Sequence, residues 1–157
     1  MSVELREIKL ADLDIIFRHW KDPDANHMAA FTAKNPNSRD EFNRHWEKIL
    51  ADEEIIIRVI RYNNEIVGHI LSFLMDDERE LSYWIDRKYW GKGIATISVK
   101  KFLNIVKSRP IFARTAFDNI ASIKVLENSG FIKTGENIYF ANAREKEIVE
   151  YIFELKK

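Results

Sequence analysis

The sequence predicts one mixed α/β domain spanning residues 1–157, with a central and mostly antiparallel sheet flanked by helices. Three observations predict it. Apolar residues recur at three- and four-residue spacings over residues 11–20 and again from Ser38, as on helices with one buried face. Between Glu54 and Asp86, three β-branched and aromatic runs are separated by Asn63-Asn64 and Asp76-Asp77. Such pairs tolerate the positive φ of tight hairpins, so the runs read as an antiparallel meander. Beyond Gly93 the pattern alternates helix, strand, helix and two strands, with no repeat, low-complexity tract or linker. A chain of 157 residues buries a real core without disulfides or metal.

Val3, Leu5 and Ile8 alternate with Glu4, Arg6 and Glu7, which predicts a half-buried strand over residues 3–9. In the first helix Leu13, Ile16, Phe17 and Trp20 share a face, Asp12 suits the dipole, and Pro23 ends the run. Residues 21–37 carry no clear period; 27–31 reads as a short helix and Asn35 to Ser38 as a loop. Ser38 with Glu41 forms a capping-box pattern for the second helix, whose apolar side is Phe42, His45 or Trp46, and Ile49. Strands follow over 54–61, 66–75 and 79–86, and a helix runs from Gly93 to about Lys107. Arg109-Pro110 breaks the chain before a strand over 111–117. The helix over 121–128 turns Ile123 and Leu126 inward, and Gly130 caps its end. Phe131-Ile132 opens another strand, 141–144 is a hairpin turn, and the last strand covers 148–155 with Ile148, Tyr151 or Ile152, and Phe153 facing the core.

Composition narrows the function. Lys+Arg and Asp+Glu are 25 each, so the net charge is zero, against the basic excess of most nucleic-acid binders. With no cysteine, disulfides, thiolate nucleophiles and cysteine metal sites are excluded. The four histidines, His19, His27, His45 and His69, show no metal-ligand spacing, so no metal is expected. The first residues lack a secretory apolar segment and no apolar run approaches the ~20 residues of a membrane span, so a cytoplasmic protein is expected.

The stretch from Leu81 to Thr96 stands out: an aromatic strand end, a turn with Gly91 and Gly93, then a helix. That geometry gathers N–H groups at a helix N-terminus and aims them at an anion. Glycine permits close approach or positive φ, and Lys88 and Lys92 add charge. It is not a P-loop, since no Gly-Lys-Ser/Thr follows, nor a dinucleotide fingerprint, since Thr96 stands at the third glycine. By itself the turn reads equally as a tight connection that binds nothing.

Lys88-Tyr89-Trp90-Gly91-Lys92-Gly93, followed by Ile94-Ala95-Thr96, resembles motif A of the GNAT superfamily of acyl-CoA-dependent N-acyltransferases, Arg/Gln-x-x-Gly-x-Gly/Ala. Its wording is similar to the branch of ribosomal-protein N-terminal acetyltransferases. Asp118-Asn119-Ile-Ala-Ser122, running on to Gly130-Phe131, resembles the Asn-x-x-Ser…Gly-Phe segment of that branch, and the element order is the family's. The sequence departs at Lys88, where the family has Arg or Gln, and at Leu126, where many relatives carry a tyrosine.

The resemblance implies transfer of an acetyl group from acetyl-CoA to a primary amine, a protein N-terminus or a small amine, by direct attack in a ternary complex. The backbone of Lys88 through Ala95, with Thr96, would hold the pyrophosphate; Tyr83, Trp84 and Ile85 would flank the pantetheine arm and Asn119 would contact it. A backbone N–H near Trp84 would face the thioester carbonyl. Glu80 would be the base, with Glu78 on the same facing unless a bulge shifts the strand; the other reading of Glu80 is a solvated turn residue. Ser122 would serve the coenzyme sulfur; the other reading is a first-turn serine bonding a free backbone N–H. His27, Phe31 and His45 fall on elements that wall the acceptor cleft in this family, against a plain packing role. The alternative function is a non-catalytic CoA-binding or regulatory domain. Monomer and homodimer both stand open.

Overall fold

The computed structural model describes residues 2–157. A seven-stranded sheet in the order β1-β2-β3-β4-β5-β7-β6 forms its middle. The strands are β1 (Val3–Arg6), β2 (Ile56–Tyr62), β3 (Glu65–Met75), β4 (Glu78–Ile85), β5 (Ile111–Ala116), β6 (Ile132–Ala141) and β7 (Lys146–Leu155). Helices α1 (Leu13–Trp20), α2 (Pro23–Ala29) and α3 (Arg39–Ala51) precede the meander, and α4 (Ile94–Phe102) and α5 (Ile120–Asn128) flank β5 in sequence. The predicted mixed α/β class holds. Every neighbouring pair is antiparallel except β4 and β5.

That parallel pair matters most. It is joined only at Arg79↔Ile111, Glu80↔Phe112 and Leu81↔Ala113. Beyond those positions β4 runs on to Ile85 beside β3, and β5 to Ala116 beside β7, without pairing to each other, so the two strands part into a fork.

The sheet buries both faces. On one, Ile70, Leu81, Ile85, Ile111 and Phe153 pack against Ile94, Val99 and Phe102 of α4 and Leu126 of α5. On the other, Ile57 and Val59 pack against Ile16 of α1 and Phe42, Trp46 and Ile49 of α3. A smaller cluster of Ala30, Ala116, Ala141 and Ile148, with Phe31 against it, seats the chain after α2 on β5 and the β6–β7 hairpin.

Both meander turns take the expected form: Asn63 and Asn64 have φ of 51° and 68°, Asp76 and Asp77 of 51° and 63°. Ser38 Oγ accepts the Glu41 N–H at 3.2 Å. The Glu41 carboxylate, however, accepts from Asn35 Nδ2 at 3.1 Å, so only half of the predicted capping box forms.

Several bounds differ from the periodicity. The first strand stops at Arg6 rather than residue 9, because Asp12 accepts the Lys9 N–H at 2.7 Å and Arg6 Nη1 at 3.1 Å, folding the chain into a 3₁₀ turn at Leu10–Asp12. The early short helix is Pro23–Ala29, not 27–31: Pro23 ends α1 and also occupies the first turn of α2, and Asp22 accepts the Asp24 N–H. Helix α4 ends at Phe102, not near Lys107. The Asn104 and Ile105 N–H groups bond three residues back, and the Arg109 guanidinium takes the Leu103 and Val106 carbonyls. The β3–β4 register runs unbroken from Met75↔Glu78 to Gly68↔Ile85, so the bulge that would have shifted β4 is absent.

Candidate active site

The glycine turn closes the α4 side of the fork. Gly91 and Gly93 both have φ +77°, and a Cβ built on either meets nothing within 4 Å. Conformation, not space, therefore calls for glycine here. The first helical bond runs from the Ile97 N–H to the Gly93 carbonyl at 3.2 Å. The N–H groups of Ile94, Ala95 and Thr96 precede it and lie at the positive end of the helix.

Upstream amides are already engaged. The Lys88 N–H donates to Asp86 Oδ1, Tyr89 N–H to the Asp86 carbonyl and Trp90 N–H to the Arg87 carbonyl. The side chains here hold the turn: Trp90 Nε1 donates to the Ile85 carbonyl at 2.9 Å, the Tyr89 phenol donates to Glu65, and the Lys88 ammonium sits over the Tyr89 ring. Available donors thus begin at Gly91, three residues later than the sequence reading. Lys88 and Lys92 remain exposed beside them.

Tyr83, two residues beyond the last β4–β5 pair at Leu81, reaches α5 and bonds Ser122 Oγ through its hydroxyl at 2.8 Å. Burial pushes the Tyr83 phenol up to about 12, with Ser122 pulling the other way. The Ser122 N–H is capped by Asn119 Oδ1 at 3.2 Å. Asn119, not Ser122, therefore caps the helix, and the serine hydroxyl is free to pair with tyrosine. Leu126, at the position of the missing tyrosine, is buried core. Trp84 faces the opposite side of the sheet, where Nε1 donates to the His19 carbonyl at 3.2 Å and the indole stacks near Trp20; Ile85 is buried with α4.

On that opposite side, Glu80 is 2% exposed, so it is no solvated turn residue. Glu78 shares its facing and is exposed. Glu80 Oε1 accepts from Arg114 Nε at 3.3 Å, and Arg114 Nη1 lies 3.6 Å from Glu150. Among the described residues Oε2 of Glu80 has no hydrogen-bond partner. Burial raises the Glu80 carboxyl above the ordinary range against the pull of Arg114, and burial raises Glu150 likewise. Two carboxylates share one guanidinium at the root of the fork, so the cluster carries an excess negative charge when both are ionised.

The three acceptor candidates fall into two groups. His45 on α3 lies with its ring 5.3 Å from that of Trp20, and partial desolvation of the ring, then Lys48, lowers its pKa. His27 and Phe31 belong to the other group, near the β6–β7 hairpin. The His27 carbonyl accepts from Arg144 Nε at 2.6 Å, and Arg144 clamps Asp118 with two bonds of 2.8 and 3.0 Å. Phe31 packs on the alanine cluster.

Sequence reasoning missed Arg114, Glu150, Arg144 and the buried pair His19 and His69. Arg114 had a signal, a lone charge inside an apolar strand. Burial, with His19 and His45 nearby, holds His69 down to about 3, so its ring is neutral against Trp46. His19 is lowered by burial despite Asp86 at 3.6 Å.

Comparison with known proteins bears on the family and the fold. The family described as acetyltransferase (GNAT) domain matches residues 2–132. The uncharacterized N-acetyltransferase p20 of Bacillus licheniformis is 27% identical over 164 residues, spanning 98% of this chain and 92% of its own. The putative ribosomal N-acetyltransferase YdaF of Bacillus subtilis (strain 168) is 27% identical over 134 residues, 77% of this chain and 73% of its own. The fold is also that of spermidine N-acetyltransferase from Vibrio cholerae in complex with CoA and spermine, with a TM-score of 0.79, 19% identity and coverage of 97% and 95%.

Proposed function

The chain belongs to the GNAT acetyltransferase family, and we propose that it moves an acetyl group from acetyl-CoA to a primary amine, with Glu80 as the base. Family membership makes it an acetyl-CoA-dependent acyltransferase; the acceptor and the residue roles are the proposal. One observation carries it: β4 leaves β5 after Leu81 and the chain leads on from its end into the turn whose amides, Gly91 to Thr96, open α4. The two left-handed glycines with open space beside them suit a pyrophosphate approaching backbone, and the unpaired β4 edge suits an extended arm laid along it. The thioester, when bound, supplies the activated acyl group.

The remaining chemistry belongs to side chains and amides of this chain. An alkyl ammonium with an ordinary pKa of ~10 must lose a proton before it attacks. Glu80, buried and with its pKa raised, is a stronger base than a solvated carboxylate, while Arg114 keeps it ionisable. An amide near Trp84 on the open edge is the donor for the developing oxyanion. The surplus carboxylate at Glu80 and Glu150 favours a cationic acceptor. The names of the relatives point to two acceptor types, a ribosomal protein terminus and a polyamine.

Thermal shift with acetyl-CoA, CoA and ATP tests the donor site. Stabilisation by both CoA species and not by ATP is expected; no response to CoA at saturation sinks the reading. Thiol release across small amines and N-terminal peptides then names the acceptor, and CoA binding without release from any of them returns the chain to a coenzyme-binding module.

A further inference from the structure

We propose that Tyr83 is a positioning residue for the leaving group: its O–H donates to Ser122 Oγ and so turns the Ser122 O–H toward the departing coenzyme sulfur. The inference rests on the coenzyme site proposed above. It starts from α5 itself, where Leu126 is buried core and offers no donor. The structure brings a phenol to the same helix from another element. Tyr83 projects from the part of β4 that has already left β5, and its hydroxyl meets Ser122 in the first turn of α5, the helix that follows β5. The 2.8 Å bond therefore ties the two sides of the fork together, on the face where α4 and α5 pack. An arm running from Gly91–Thr96 into the fork passes this pair.

Among the described residues neither hydroxyl has another partner. Asn119 already serves the Ser122 N–H, so the serine oxygen has no capping duty. Two hydroxyls joined by one hydrogen bond leave one O–H unused. If Tyr83 donates, the unused proton is on the small, rotatable serine; donor chains of this kind polarise and strengthen the terminal bond. The phenol keeps its proton throughout the neutral range, because burial pushes it up to about 12. In the step itself the amine nitrogen bonds the carbonyl carbon, the carbon–sulfur bond breaks, the electron pair stays on sulfur, and the thiolate accepts the Ser122 O–H. Both hydroxyl protons stay where they are; the first proton of the ammonium passes through Glu80 to solvent before attack, and Glu80, ionised again, takes the second from the bonded nitrogen.

The test is a titration of bound CoA, followed by thiolate ultraviolet absorbance, in wild type, Tyr83→Phe and Ser122→Ala. An ordinary thiol titrates near ~8.5, and the donor pair lowers that value in the wild-type complex. Tyr83→Phe should return it about one unit toward free CoA, and with a competent acceptor should lower kcat about tenfold while the KM for acetyl-CoA holds within about twofold. The double variant should be no worse than Ser122→Ala alone, since both act through one O–H. An unmoved thiol titration in Tyr83→Phe, or a loss confined to stability and KM, overturns the proposal and leaves Tyr83 as packing. Failure of the wild type to bind CoA overturns the coenzyme reading as well, so the two failures are told apart.

Discussion

On the α4 side of the fork, the available hydrogen-bond donors are main-chain amides of consecutive residues, Gly91 to Thr96. On the α1 side, the charged groups are side chains from separate strands: Glu80 on β4, Arg114 on β5 and Glu150 on β7. The first device depends on two φ angles of +77° and is indifferent to most side chains. The second depends on each partner, because a buried carboxylate stripped of its guanidinium is costly. The difference teaches where each kind of substitution should hurt: backbone changes should strike the coenzyme, and side-chain changes should strike turnover.

The largest effect expected is on the side-chain device. Glu80→Gln keeps an acceptor for Arg114 but cannot take a proton, so kcat should fall by ~10²–10³ with acetyl-CoA affinity unchanged. In wild type the rate should decline as pH drops through the raised Glu80 pKa, because the base must be ionised. Steady-state kinetics that find full turnover in Glu80→Gln would break the contrast, leaving the Glu80–Arg114–Glu150 cluster a structural ion network.

Next comes the backbone device. Gly93→Val forces a β-branched residue into left-handed φ at a cost of ~1–2 kcal/mol, and CoA binding should weaken more than tenfold by calorimetry. Gly93→Asn should retain most of it, since Asn tolerates that region and nothing lies within 4 Å of the new Cβ. Equal losses in the two variants would mean that side-chain bulk, not φ, governs the site.

The smallest effect on catalysis concerns the buried ring of His69, packed against Trp46; the titration of His69 is read in stability alone. Its folded pKa of about 3 lies below the ordinary ~6.5, so below that value the unfolded chain binds a proton the native one refuses. Stability is untouched above pH ~6.5, and the His69 share of it falls by ~2 kcal/mol by pH ~5. Urea unfolding at the two pH values should show this loss, and His69→Leu should flatten it; an unchanged slope in that variant would remove His69 as its source.

Much of the fold was legible because its signals are local. Asn63-Asn64 and Asp76-Asp77 announced their hairpins, Ser38 its helix, and Gly130 a helix end with φ +93°. The glycine turn was legible for the same reason, as glycine and helix stand side by side in sequence. Where the chain answered to a distant partner, periodicity failed. The 3₁₀ turn after Arg6 follows from Asp12, and the early end of α4 goes with Arg109 capping its last turns. Arg144 ties His27 to Asp118, residues with no shared pattern.

The sequence by itself determined the mixed α/β class, the meander and the glycine-led helix, because each rests on neighbours within one turn or one hairpin, and the family, because two such local motifs stand in the right order along the chain. Only the tertiary structure decided that Glu80 is buried, that Arg114 and Glu150 share its charge, and that Tyr83 meets Ser122 across the fork. Those facts depend on β4 and β5 running parallel and then parting, which juxtaposes residues tens of positions apart. Burial and pairing of that kind set the pKa and the reach of a side chain, and no local pattern of residues encodes them.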